Sequence, residues 1–245
     1  MISSNKKKKK IYEGKAKILH ETANADQLVQ EFKDDATAFN GAKKGKIKNK
    51  GVVNNKITAQ LFRLLESYNV PTHFISESGD NEMVIRRLQM IPIEVVVRNI
   101  AAGSFVKKGG AKEGTVLEKP VLEYYLKDDA KNDPQIDETY ILSNGLATSE
   151  DLRIIGRMSA KVNAVLKTFF LRRDLKLVDF KLEFGRAKNK IFLADEISPD
   201  TCRLWDVKTD KKMDKDRFRQ DLGGVEEAYE EVLRRMMRAD DVKGG

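Results

Sequence analysis

From Leu177 to Phe184 apolar and charged residues alternate strictly. Val178, Phe180, Leu182 and Phe184 fall on one face and Asp179, Lys181 and Glu183 on the other, the period-two pattern of a half-buried strand. Lys190 to Ile197 predicts a second strand, and Gly185 to Asn189 between them predicts a β-hairpin. If its loop is Arg186 to Asn189, Gly185 pairs with Lys190 and Glu196 lies opposite Asp179; a one-residue change or a bulge favours Asp195 instead. Asn54 to Tyr68 repeats at helical spacing, with Ile57, Leu61, Leu64 and Leu65 on one stripe, and Val70-Pro71 ends it. Ser149 to Phe170 predicts a longer amphipathic helix with Ser149 as N-cap. The last helices are predicted from about Lys215 and over Val225 to Met237, broken at Gly223-Gly224.

Ile11 to Leu19 predicts a strand bending at Gly14, and Leu28 to Phe32 a second, giving an N-terminal β-meander. Met83 to Arg87 and Glu94 to Arg98 are β-branched-rich strands. Gln89-Met90-Ile91-Pro92 between them suits a hinge, which places a lobe boundary near Leu88 to Pro92 and divides the chain into 1–90 and 91–245. Ala42 to Lys50 carries five lysines and one large apolar residue, Ile47, and reads as a mobile surface loop that invites an anion. Lys127 to Glu138 is polar and reads as loop. Strands lead and helices follow in each half without strict β-α alternation, so the expected class is α+β, two lobes of antiparallel sheet with a cleft between them.

Composition narrows the function classes. The 245 residues contain 46 Lys and Arg against 38 Asp and Glu, a net charge of +8. Lys6 to Lys10 supply five of those charges, leaving 41 against 38, or +3, so the basicity is partly a tail. That run and the Asp240 to Gly245 end read as disordered. Neither the tail nor Lys43 to Lys50 has interleaved aromatics for base stacking, so no nucleic-acid partner is expected. One cysteine, Cys202, excludes an intrachain disulfide, and two histidines, His20 and His73, leave no histidine-rich metal site. No apolar run reaches membrane-spanning or signal-peptide length, so a cytoplasmic protein with no membrane partner is expected.

The candidate chemistry is acidic and phosphate-directed. Asp179, Lys181 and Glu183, with Asp195-Glu196 from the next strand, can gather two to four carboxylates, a hard-oxygen set suited to Mg²⁺; the alternative is a solvated hairpin face neutralised by Lys181. Arg98 to Ser104 leaves its strand through small residues, which suits either an anion pocket with Arg98 as the fork or a tight turn with Arg98 in a salt bridge. Ser198 to Asp206 reads as a loop of substrate contacts beside the carboxylates, with Cys202 and Trp205 as packing residues. Lys15 and Lys17 share a strand face and offer two positive charges to a phosphate chain. Asp214 to Gln220 opens a helix with Arg217 and Arg219 nearby, either an anion site or a capped charged turn. No G-x-x-x-x-G-K-S/T loop, G-x-G-x-x-G or H-E-x-x-H occurs.

In order, the blocks Gly14-Lys15-Ala16-Lys17, Val52 to Lys56, Val97-Arg98-Asn99 with Ala101 to Ser104, Asp179 to Gly185, Asp195-Glu196 with Ser198-Pro199-Asp200, Arg203 to Asp206 and Lys215 to Arg219 resemble the SAICAR synthetase family. The resemblance runs from about Ile11 to Arg238. It departs at Phe39 to Lys44, with Asn and Lys where many relatives carry Asp and Arg, and at Ile100, where a second Arg is frequent. A small-molecule kinase of the inositol-phosphate type also uses an Asp-x-Lys strand, but Asp179-Phe180-Lys181 lacks the flanking Pro and Gly of that pattern.

The resemblance implies a two-lobed fold related to the ATP-grasp and protein-kinase arrangement, with an N-terminal β-rich ATP-binding lobe and an ATP-grasp-like α+β substrate and metal lobe. It implies an ATP-dependent ligase of purine biosynthesis that joins 4-carboxy-5-aminoimidazole ribonucleotide to L-aspartate, giving the succinocarboxamide, ADP and phosphate, and a homodimer. Lys15 and Lys17 would then hold ATP phosphates, the segment from Arg86 to Met90 would meet adenine, and Glu183 and Asp195 would bind Mg²⁺. Arg98, Ser104, Asp179, Asp200 and Arg203 would grip the ribonucleotide. Arg219 would take its phosphate or the end of the cleft, and Lys181 would neutralise charge on the transferring group.

Overall fold

The computed structural model describes residues 7, 9–38, 41–109 and 111–238. Phe39 and Asn40, Lys6 and Lys8 of the lysine run, and the Asp240 to Gly245 tail lie outside them. Lys7 pairs with Glu31 and Glu82, and Lys10 belongs to the first strand, so the described part of the lysine run is tied to the fold rather than a loose tail.

The first antiparallel sheet runs β1-β2-β3-β7-β6, built from β1 (Lys10–Glu13), β2 (Lys17–Glu21), β3 (Gln27–Phe32), β6 (Phe74–Gly79) and β7 (Glu82–Arg86). Gly14 does not bend one strand. It closes a hairpin, its N–H donating to Lys17 O at 2.8 Å, which leaves Lys15 in the turn while Lys17 opens β2. Beside the sheet β4 (Asp35–Ala38) and β5 (Lys43–Lys46) form a ribbon of their own. The lysine-rich stretch is thus a paired strand leading into α1 (Lys50–Ser67), because backbone pairing with β4 supplies the order its side chains do not. Helix α1 buries Val53, Ile57, Leu61, Phe62 and Leu65. Gly51 is required there, since a Cβ would come within 2.5 Å of Phe32 O.

The second sheet runs β10-β9-β8-β11-β12, with β13 also on β11. Its strands are β8 (Gln89–Ile100), β9 (Val116–Leu126), β10 (Gln135–Ile136), β11 (Leu175–Ala187), β12 (Lys190–Ala194) and β13 (Cys202–Asp206). The expected hinge at Gln89 to Pro92 is part of β8. Gln89 and Met90 pair with Arg186 and Gly185, and Pro92, which has no N–H to give, sits in the bulge between that pairing and Glu94↔Glu183. Only Arg87-Leu88 separate β7 from β8.

Strand β11 carries the site, and three findings correct its expected geometry. The hairpin loop is only Lys188-Asn189, both left-handed at φ 48° and 63°, so Ala187 pairs with Lys190 and Gly185 with Phe192. Strand β12 ends at Ala194 and Asp195 turns off at φ 61°, so the residues opposite Asp179 are Arg203 of β13 and, on its other side, Arg98 of β8, neither Glu196 nor Asp195. A bulge between Leu177 and Asp179 removes Val178 from the face of Phe180, Leu182 and Phe184, and it packs with Ile100, Ala102 and Trp205 instead. The expected loop Ser198 to Asp206 is strand from Cys202 onward.

The helices of this half are α2 (Ser104–Lys107), α3 (Glu138–Ser143), α4 (Ser149–Leu171), α5 (Asp216–Arg219) and α6 (Val225–Met236). Thr148, not Ser149, caps α4 in a capping box with Asp151, because a three-residue step from 148 reaches a carboxylate. Lys127 to Glu138 holds a short 3₁₀ turn and β10, and Asp137 caps α3. Helix α4 packs on β8 and β11, and a reciprocal amide pair, Asn99 with Asn163 at 2.8 and 2.9 Å, fixes β8 beside Arg98. No helix among the described residues is long and apolar enough to cross a membrane.

Candidate active site

Strand β12 leaves β11 at Glu183 and β13 joins it at Phe180, so neither neighbour pairs with Lys181-Leu182. Residues 195–201 cross this gap, and the Lys181 N–H donates to Thr201 O at 2.9 Å. Two cavities meet here, of about 290 and 1090 Å³, sharing Glu94, Lys181, Asp200 and Thr201 on their walls.

Arg98, Ser104, Asp179, Arg203 and Arg219 line the smaller cavity. An alternating chain of charge runs through it. Arg98 donates to Glu123 and Asp179 at 2.8 Å each and to Ser104 Oγ at 2.9 Å. Arg203 donates to Asp179 at 2.8 Å and to Asp216 at 2.7 Å, and Arg219 reaches Asp216 at 2.5 Å. Arg98 is therefore salt-bridged, as the second of the two sequence readings has it, and its side chain lines the cavity with Ser104. Burial opposes the Arg203 charge, but Asp179 and Asp216 prevail and raise its pKa. Gly103, at φ 57°, permits this arrangement: a Cβ would stand 2.6 Å from an Arg203 nitrogen.

Lys15, Lys17, Met90, Glu183 and Asp195 line the larger cavity. Lys17 pairs with Asp195 and lies 2.9 Å from Glu196. Lys181 pairs with Glu183, lies 2.9 Å from Glu94 and is 3.5 Å from Asp195, while Lys127 closes on Glu183. Burial would discharge Lys181, but Glu183, Asp195 and Glu94 hold its pKa well above the ordinary value. Burial likewise works against the Asp195 charge, and Lys17 and Lys181 keep its pKa below the usual carboxylate range. The site thus holds ammonium and carboxylate groups side by side on a half-buried wall, each favouring the charged form of the other.

Of the charged residues singled out from sequence, Arg86 and Arg217 lie off both walls; the Arg86 guanidinium stacks on Phe192 at 4.9 Å. Arg217 is buried and donates to the carbonyls of Gly223, Gly224 and Lys212, a structural role, and α5 is a single turn. Cys202 is buried, which pushes its thiol pKa upward. Sequence reasoning passed over Glu94, Glu123, Lys127 and Asp216. Glu94 and Glu123 had a signal, each being the lone charge in an apolar run, Ile91 to Val97 and Val121 to Leu126; Lys127 and Asp216 are charges on polar stretches with none.

Opposed lysines and carboxylates in a cleft bounded by two antiparallel sheets, beside a second, arginine-rich cavity, define the class of an enzyme with two adjoining charged cavities. Comparison with known proteins specifies which. The SAICAR synthetase family model matches residues 10–236. A phosphoribosylaminoimidazole-succinocarboxamide synthase of Chlorobium limicola is 57% identical over 230 residues, covering 94% of this chain and 98% of its own. The crystal structure of the Ehrlichia chaffeensis synthase superposes with a TM-score of 0.91 at 46% identity, covering 93% of this chain and 98% of that one. A SAICAR synthetase in complex with ADP gives 0.90 at 45% identity, covering 94% and 98%. The chain belongs to the SAICAR synthetase family.

Proposed function

We propose that this chain joins 4-carboxy-5-aminoimidazole ribonucleotide to L-aspartate at the expense of ATP, with the nucleotide in the larger cavity and the ribonucleotide in the smaller. Lys181 carries the reading: it stands on the wall common to both cavities, in reach of Glu94, Glu183 and Asp195. A carboxylate is a poor acyl donor because oxide does not leave. A carboxylate oxygen of the ribonucleotide attacks the γ-phosphorus, the bond to the ADP oxygen breaks, and an acyl phosphate forms. The aspartate amine then attacks the acyl carbon, phosphate departs and the nitrogen gives up its proton. The chain's part is orientation and charge neutralisation, with Lys181 placed where negative charge passes between the two substrates.

In this reading Lys15 and Lys17 hold ATP phosphates and the segment from Arg86 to Met90 meets adenine. Arg98, Ser104, Asp179, Asp200 and Arg203 hold the ribonucleotide, and Arg219 its phosphate. The donors also suit Mg²⁺. Glu183 and Asp195 offer hard carboxylate oxygens that already sit against ammonium groups, and no group of three or more metal-binding side chains gathers among the described residues. An ion that takes one or two carboxylates and completes its shell with phosphate oxygens and water fits that set. Glu183 and Asp195 would hold it, and it supplies neutralisation of the phosphates when bound.

A division near residue 90 into nucleotide and substrate lobes goes with this reading, supported by the two sheets falling on either side of Arg87-Leu88. So does a homodimer, supported by exposed Tyr68, Val116, Leu142 and Leu171, which light scattering at micromolar concentration tests. A cytoplasmic site of action is supported by the single, buried cysteine. The chemistry is tested with ¹⁸O in the carboxylate of the ribonucleotide. One labelled oxygen in phosphate per amide formed is expected, and unlabelled phosphate removes the acyl phosphate step.

A further inference from the structure

Asp200 sits where the two cavities meet, its side chain only 3% exposed. Groups from three places in the chain converge on its carboxylate. Tyr229 of α6 donates from Oη to Oδ1 at 2.6 Å, and Lys50, the first residue of α1, donates to Oδ2 at 2.9 Å. Lys215 lies 3.7 Å from Oδ2. Tyr229 and Lys50 are each 1% exposed, and neither lines a cavity. A buried ammonium and a buried phenol need partners, and both have Asp200. Lys50 is also a positive charge at a helix N-terminus, where the helix dipole disfavours it and the Asp200 carboxylate offsets the penalty.

We infer that Tyr229 is a positioning residue for the reaction: with Lys50 it fixes the rotation of the Asp200 carboxylate, so that helix α6, outside the cleft, sets the geometry at the junction of the two cavities. The terminal torsion of an aspartate is broad and two-fold, so an unrestrained carboxylate turns freely. Here each oxygen has its own donor from a different helix and keeps a further lone pair for a substrate donor. Burial opposes the charge on Asp200, but Lys215, Lys50 and the Tyr229 hydroxyl hold its pKa below the usual range. Burial and the Asp200 charge raise the Tyr229 phenol well above its ordinary value, so it stays a donor.

This inference rests on the reading of Asp200 as a ribonucleotide ligand. The test measures KM for each of the three substrates, kcat and Tm for Tyr229→Phe, Asp200→Asn and the double variant. Tyr229→Phe keeps the ring and removes only the donor. It is expected to raise KM for the ribonucleotide roughly three- to tenfold, the scale of one hydrogen bond, with KM for Mg·ATP unchanged. In the Asp200→Asn background the same change is expected to have no further effect. Lys50→Gln, acting on the other oxygen, must move the same KM, and it carries the test if Tyr229→Phe fails to fold. Equal shifts in all three KM values, or none, while Asp200→Asn does raise the ribonucleotide KM, overturn the inference alone. If Asp200→Asn leaves that KM unchanged, the reading of Asp200 fails and takes the inference with it.

Discussion

Arg203 stands opposite Asp179 in the β11–β13 ladder, and its guanidinium returns to that same carboxylate at 2.8 Å. Its Nε also reaches Asp216 at 2.7 Å, so one side chain ties the central strand to α5 and carries Arg219 with it. Arg203→Lys keeps the charge and loses the fork. Stability is expected to fall by about 1.5–3 kcal/mol, the scale of a charge-assisted hydrogen bond, and the KM for the ribonucleotide to rise at least tenfold. Calorimetry and steady-state kinetics check both; wild-type values for the variant would show that the fork contributes nothing.

Gly103→Ala tests the same fork from its other side. A Cβ there meets the Arg203 guanidinium and forces a side chain into a left-handed backbone, a conformation that costs about 1–3 kcal/mol. Arg203 must move away. The expected outcome is a larger loss of kcat/KM for the ribonucleotide than for Mg·ATP; equal losses would mean that only folding suffered.

Glu183→Gln and Asp195→Asn each remove one charge from a site where Lys17, Lys127 and Lys181 remain. Both are expected to leave Tm within a few degrees of wild type while the KM for Mg·ATP rises tenfold or more and the Mg²⁺ dependence shifts to higher concentration. A titration of activity against free Mg²⁺ that superposes on wild type for both variants would remove these carboxylates from the metal site.

Asp214 is buried, accepts the N–H groups of Leu204 and Asp216 at 2.8 and 2.7 Å, and sits beside the Asp216 carboxylate. Burial first, and then Asp216, push its pKa up from 3.8 to about 7. The sign follows from linkage. Between those values the folded state binds the proton and the unfolded state does not, so the contribution is complete below pH 3.8 and is lost as pH rises to about 7. Asp214→Asn is expected to have lower absolute stability, because its amide cannot accept both N–H groups, and a flatter stability profile from pH 4 to 7. Urea denaturation across that range gives the slope, and parallel wild-type and variant profiles would contradict the assignment.

The face of Phe180, Leu182 and Phe184 against that of Lys181 and Glu183 was legible because alternation survives wherever the ladder is regular. It failed at Val178 and Asp195, where a bulge and a left-handed residue break the period without any change in residue type. Hairpin length was misread for a related reason: Lys188-Asn189 adopts the left-handed turn conformation, and nothing about that lysine signals it. Lys50 and Tyr229 were invisible because their function is set by a partner 150 and 29 residues away, Asp200, and not by their own neighbours. The order of the motif blocks, by contrast, carries the family in the sequence alone.

In the proposed function one cleft couples ATP cleavage to amide formation between two further substrates. The most direct test of that coupling is ADP release, followed together with absorbance of the succinocarboxamide, from Mg·ATP, 4-carboxy-5-aminoimidazole ribonucleotide and L-aspartate, with each omitted in turn. One ADP per amide and full turnover only with all three are expected. Equal ADP release without aspartate would contradict the coupling and make the chain a kinase or an uncoupled ATPase.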